Sequence, residues 1–78
     1  MQKSVTIYST QTCHYCQLAK QFFADNGVQY TNVDVGADRQ KAREMVEKTG
    51  QMGVPVIEVG EEIIIGFDEE RLRSALGL

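Results

Sequence analysis

Thr12-Cys13-His14-Tyr15-Cys16 holds the two cysteines of the chain, three residues apart, at a change of periodicity. Before it, Val5-Thr6-Ile7-Tyr8 alternates apolar and polar side chains, the period of a β-strand. After it, Tyr15, Leu18, Ala19, Phe22 and Phe23 recur at i, i+3, i+4, i+7 and i+8, which draws one buried stripe along a helix. Thr12 or Cys13 is placed to cap that helix, and Gly27 to stop it in a left-handed turn. A C-x-x-C at a strand-to-helix junction is the arrangement of a redox dithiol. Cys13 at the helix start faces unpaired backbone N–H groups and the positive end of the helix dipole, both of which favour a thiolate. The thiolate, not the thiol, attacks a disulfide. Cys16, one turn further in, is shielded by its own helix and is placed to resolve the mixed disulfide that Cys13 forms. His14 is read either as a charge partner for that thiolate or as an exposed bystander. Tyr15 is read either as the start of the buried stripe or as a lip beside the sulfur.

Working outward, Tyr30–Val35 reads as a second strand. Asp38 caps a second helix carrying Ala42, Met45, Val46 and Thr49 on one face, and Gly50 ends it. Val54–Val59 and Glu62–Ile65 are strands joined by Gly60-Glu61, a link that suits a type II′ hairpin. Asp68 caps a last helix with Leu72, Ala75 and Leu76 inward and Gly77 at its end. Asp34 reads as a strand-end polar group and Lys20 as a solvated helix residue. The order β-α-β-α-β-β-α makes the first two strands parallel through a right-handed crossover and the last two antiparallel. The fold class expected is α/β: a four-stranded mixed sheet with three helices, in one domain over residues 1–78.

The bulk numbers narrow the alternatives. A chain of 78 residues, 42% hydrophobic and 24% charged, suits a small globular protein and one core-forming unit. The net charge of −3 and the absence of basic runs argue against nucleic acid. No apolar run reaches the roughly 20 residues of a membrane span. The lead Met1-Gln2-Lys3-Ser4 runs straight toward a strand with no signal-peptide pattern, so a cytoplasmic monomer is expected, where thiols are kept reduced. Zinc takes about four ligands, and only Cys13, Cys16 and the His14 between them are soft donors. The metal alternative therefore needs two chains: a zinc or iron–sulfur module using Cys13 and Cys16 across a dimer. Pro55, preceded by Gly53-Val54, is read either as a plain strand-start residue or as a cis bond exposing the Val54 backbone to an extended substrate.

Taken together, Ser9-Thr10-Gln11-Thr12-Cys13-His14-Tyr15-Cys16, Ala19-Lys20, Gly53-Val54-Pro55 and Gly66-Phe67-Asp68 resemble the glutaredoxin family over nearly the whole chain. The resemblance implies a thioredoxin-like fold, a nucleophilic Cys13, a resolving Cys16 and a cis Pro55 beside them. It implies substrate contacts from Thr12, His14, Tyr15, Val54, Pro55, Gly66, Phe67 and Asp68. It also implies disulfide-containing protein substrates, no bound cofactor, and an external reductant, either glutathione or a thioredoxin-reductase-type flavoprotein. The departures are specific. Thr10 stands where the family usually has Lys or Arg, and Gln51-Met52 stand where a basic residue often precedes the proline motif. Gly53-Val54-Pro55 replaces Thr-Val-Pro, and Gly66-Phe67 replaces Gly-Gly. Phe67 is expected to crowd the loop that receives the γ-glutamyl end of glutathione. Gly66-Phe67 is instead similar to the redoxins that feed ribonucleotide reductase, although Asp68-Glu69 replaces their basic-proline continuation.

Overall fold

Alternation in the strands assigns each side chain to one of two faces of a single sheet. The computed structural model describes residues 4–78; Met1, Gln2 and Lys3, expected to lead into the first strand, lie outside the described residues. The elements are β1 (Val5–Ser9), α1 (His14–Asp25), β2 (Thr31–Asp34), α2 (Arg39–Thr49), β3 (Val56–Val59), β4 (Glu62–Ile65) and α3 (Glu69–Leu76). The sheet order is β2-β1-β3-β4. β1 and β2 are parallel with Ser9 opposite Asp34. β1 and β3 are antiparallel with Tyr8 opposite Val56, and β3 and β4 antiparallel with Val56 opposite Ile65. The expected mixed sheet and three helices are all present.

Two cores follow from the alternation. Val5, Ile7, Ile57, Val59 and Ile64 meet Ala19, Phe22 and Phe23 of α1 and Leu72 and Ala75 of α3. On the other face Tyr8 and Val56 meet Met45 of α2, flanked by Val33, Val35, Val54 and Ile63. The helix ends obey local rules. Asp38 and Asp68 accept the Lys41 and Arg71 N–H groups as N-caps, and Gly50 and Gly77 take left-handed conformations. After α1, Val28 N–H bonds Phe23 C=O and Gly27 N–H bonds Ala24 C=O, a Schellman ending. Gly60 has φ +61°, and among the described residues no non-glycine residue has positive φ, so the Gly60-Glu61 hairpin fits type II′ rather than I′.

Four expectations need correction. Tyr15 is 61% exposed and Leu18 38%; the buried stripe of α1 is Cys16, Ala19, Phe22 and Phe23. Tyr15 stands in the first turn, past the end of the strands, and Leu18 on the stripe's outer flank. The second strand is shorter than Tyr30–Val35, because Tyr30 turns its ring onto Phe23, 5.1 Å between centroids. β3 begins at Val56, not Val54: Pro55 has no N–H for a ladder, although its carbonyl still accepts Gly66 N–H at 2.9 Å. On α2 only Met45 is buried; Val46 is exposed, and Thr49 returns its hydroxyl to Met45 C=O at 2.7 Å.

Candidate active site

The register fixes where the chemistry sits. β1 and β2 run parallel and end together, while β3 starts and β4 ends opposite them. One end of the sheet therefore carries four segments: the Thr10–Cys13 turn, Val35–Asp38, Val54-Pro55 and Gly66-Phe67-Asp68. The residues expected to form a site are separated in sequence and share this edge.

Within it, Cys13 is the N-cap of α1, with φ −84° and ψ 112°. Its N–H returns to Thr10 C=O at 3.4 Å, and its carbonyl accepts Gln17 N–H at 3.3 Å. The Cys13 sulfur accepts the Cys16 N–H at 3.1 Å. Of the two candidate caps, Cys13 takes the position and Thr12 stays exposed in the turn. A sulfur cap held by a free helix N–H is stabilised more as thiolate than as thiol, because the donor and the helix dipole both favour negative charge. Cys13 and Cys16 are joined as a disulfide with Cα atoms 5.2 Å apart, inside the usual span. Their burial differs: Cys16 is wholly buried and Cys13 only half-buried.

Around them, His14 and Tyr15 are both exposed, their rings edge to face at 5.7 Å. The Val54-Pro55 bond is cis, with Pro55 buried and Val54 half-buried. Gly66 has φ +81° and hands its N–H to Pro55, tying the last loop to the proline. Phe67 is half-buried with its ring against Phe22, 6.1 Å between centroids. The ring packs toward the first core from the Gly66-Phe67-Asp68 loop. Asp68 is exposed and occupied as the cap of α3. Among the described residues there is no group of three or more His, Cys, Asp or Glu placed to hold a metal ion.

Asp34 is the residue that sequence reading undervalued. Its Oδ1 accepts the N–H groups of Gly36 at 2.9 Å and Ala37 at 3.1 Å, closing an Asx turn at the dithiol end. A Cβ on Gly36 would meet Asp34 Oδ1 at 3.2 Å and Thr10 Cγ2 at 3.3 Å, so this turn lies directly against the start of the Thr10–Cys13 turn. The Asp-x-Gly spacing was the available signal.

A C-x-x-C disulfide at a helix N-terminus, on a β-α-β-α-β-β-α sheet beside a cis proline, defines a thioredoxin-like dithiol site. Comparison with known proteins narrows this. The Glutaredoxin family model matches residues 5–64. A glutaredoxin-like 8.6 kDa protein from the rubredoxin operon of Clostridium pasteurianum is 34% identical over 68 residues, covering 87% of this chain and 91% of its own. Glutaredoxin 3 of Escherichia coli (strain K12) is 32% identical over 74 residues, covering 95% and 89%. The solved glutaredoxin from Methanosarcina mazei Go1 superposes with a TM-score of 0.81 at 26% identity, covering 97% and 80%. The chain belongs to the glutaredoxin family, and its activity class is thiol-disulfide oxidoreductase.

Proposed function

We propose that the protein is a dithiol electron carrier in which Cys13 attacks and Cys16 resolves. The Cys13 thiolate attacks one sulfur of a disulfide, forming a mixed disulfide and expelling one thiolate, which takes a proton from solvent. Cys16, on losing its proton, attacks the Cys13 sulfur, closes Cys13–Cys16 and expels the second thiolate. Two electrons pass from the dithiol to the substrate, and an external reductant returns them. The observation that carries this assignment is the difference in burial: a half-buried Cys13 that still reaches solvent at the cap and a wholly buried Cys16 one turn behind it. Val54 offers its backbone to an extended substrate, with Gly66 and Asp68 at the far end and Thr12, His14 and Tyr15 at the near one. The substrates are protein or low-molecular-weight disulfides met by a monomer in the cytoplasm; among the described residues no helix is long and apolar enough to cross a membrane.

Cys13→Ser is expected to abolish disulfide reduction, and Cys16→Ser to accumulate a one-to-one mixed disulfide visible as a mass increase. Undiminished turnover by Cys13→Ser would reject the assignment. Protein purified without air is expected to be colourless and free of stoichiometric metal; bound zinc or a cluster spectrum would favour the shared-metal alternative.

The reductant is either glutathione or a thioredoxin-reductase-type flavoprotein, and the rim favours the second. Thr10 and exposed Gln51 supply no cation for the two carboxylates of glutathione. Each missing charge-assisted hydrogen bond is worth about 1.5–3 kcal/mol at full strength. Turnover coupled to glutathione is therefore expected to be slow, and Gln51→Lys to lower the KM for glutathione. Efficient glutathione turnover by the unaltered protein would count against this choice of donor.

A further inference from the structure

We propose that a groove on the β2 side of the dithiol selects small disulfides carrying an ammonium group, with Asp34 as the charge that determines the preference. This rests on the reading of Cys13 as the attacking sulfur. β2 and β3 flank β1 on opposite sides, so the groove lies across the dithiol from Val54-Pro55 and Gly66. It has a volume of about 370 Å³ and is lined by Thr10, Gln11, Thr12, Asp34, Gly36 and Ala37. Thr12 adjoins Cys13, and the Cys13 N–H bond to Thr10 C=O holds the sulfur's residue at the groove's end.

The chemistry of the lining is one-sided. Most of its surface is apolar, with the Thr10 methyl turned toward Gly36, and Asp34 is the one charged side chain among its lining residues. The Gly36 and Ala37 N–H groups fix the carboxylate through Oδ1, which leaves Oδ2 as its free acceptor. A disulfide reaching Cys13 extends one half to each side of the attacked S–S bond. The half that falls on the β2 side meets a preoriented carboxylate among uncharged, mostly apolar surface. An ammonium two carbons from sulfur suits it, and a carboxylate there is repelled.

The reaction is the same exchange: the Cys13–S bond forms, the substrate S–S bond breaks, and Cys16 then displaces the second aminothiolate. A single-turnover experiment needs no added reductant. Reduced protein is mixed with excess cystamine, bis(2-hydroxyethyl) disulfide or 3,3′-dithiodipropionate, quenched in acid, alkylated, and scored by protein mass for loss of the protein's own two thiols. Each rate is divided by that of dithiothreitol with the same disulfide, which removes intrinsic reactivity. The expected order is cystamine, then the neutral disulfide, then the dianion, with the spread narrowing as salt is raised.

Asp34→Asn keeps the oxygen that closes the turn and removes the charge. It is expected to lower the cystamine-to-neutral ratio by about two- to fivefold, the scale of one solvent-screened pair. Glu61→Gln, in the hairpin at the opposite end of the sheet, makes the same change in net charge and is expected to leave the ratio alone. Gln11→Lys, in the exposed turn, is expected to shift the preference toward the dianion and serves if Asp34→Asn folds poorly. The proposal is overturned by a wild type without preference. It is equally overturned by equal ratios in Asp34→Asn and Glu61→Gln, or by an Asp34→Asn variant that slows all three disulfides in proportion. Failure of all three to react with the wild type would instead remove the assignment of Cys13.

Discussion

Gly66 joins backbone conformation to site geometry in a single residue. Its φ of +81° lies where L side chains are disfavoured, and its N–H holds Pro55 C=O. Nothing lies within 4 Å of the position a Cβ would take, so a substitution meets conformational cost alone and no clash. Gly66→Ala is expected to lose about 1–2 kcal/mol of stability in denaturant titration, the cost of a left-handed non-glycine residue. A loss near zero would mean that the loop relaxes out of this conformation. Cys13 joins two functions in the same way, as helix cap and as reactive sulfur. Replacing it with Ser preserves a capping oxygen, so the expected loss of activity is chemical rather than a loss of the helix.

Elements whose ends are set locally were legible before the fold was seen. Asp38, Gly50, Asp68 and Gly77 act within one turn of themselves, and each sits in the structure as the sequence implies. Tyr15 and Leu18 were not legible, because their exposure depends on where the strands stop beneath α1. The true start of β3 was hidden in the same way, since pairing at Val54-Pro55 depends on β4. The dithiol, by contrast, was fully visible, being two residues on one turn. Asp34 was missed because its role lies in a turn rather than in the strand that it ends.

A three-residue clasp closes α2 onto the sheet at this same scale. Lys48, in the last turn of α2, meets Glu58 of β3 at 3.3 Å, beside the Tyr8 ring. Burial, followed by the neighbouring Glu58 carboxylate, holds the Tyr8 hydroxyl above its ordinary pKa of 10.0. The Glu58 carboxylate, by hydrogen bond and charge, likewise holds the Lys48 ammonium above 10.5. Both groups keep their protons more tightly folded than unfolded, so their contribution is full below about pH 10 and lost as pH climbs through the raised values. Thermal melts are expected to be flat from pH 7 to 9 on this account and to fall beyond 10. Tyr8→Phe should fall less steeply over that alkaline range; an unchanged slope would place the alkaline loss elsewhere.

Across the whole molecule the two faces of the sheet are unequally held, and the dithiol sits on the stronger one. α1 buries Cys16, Ala19, Phe22 and Phe23 and α3 buries Leu72 and Ala75, whereas α2 buries Met45 alone. Local opening follows buried apolar contact, so the helices of one small protein need not open together. Opening of α2 exposes mainly Met45, Tyr8 and Val56, while opening of α1 exposes the larger core. Native-state hydrogen exchange is therefore expected to show α2 amides exchanging through a lower-energy opening than those of α1, β1 and β3. Met45→Ala removes the one buried side chain of α2 and is expected to cost about 2–5 kcal/mol. Much of that loss should appear as lower protection within α2, with the single-turnover rate of Cys13 unaltered, because α1 and its cap rest on the other face. Equal protection in α1 and α2 would mean that the sheet transmits the opening of one face to the other. The dithiol would then be as mobile as the helix opposite it.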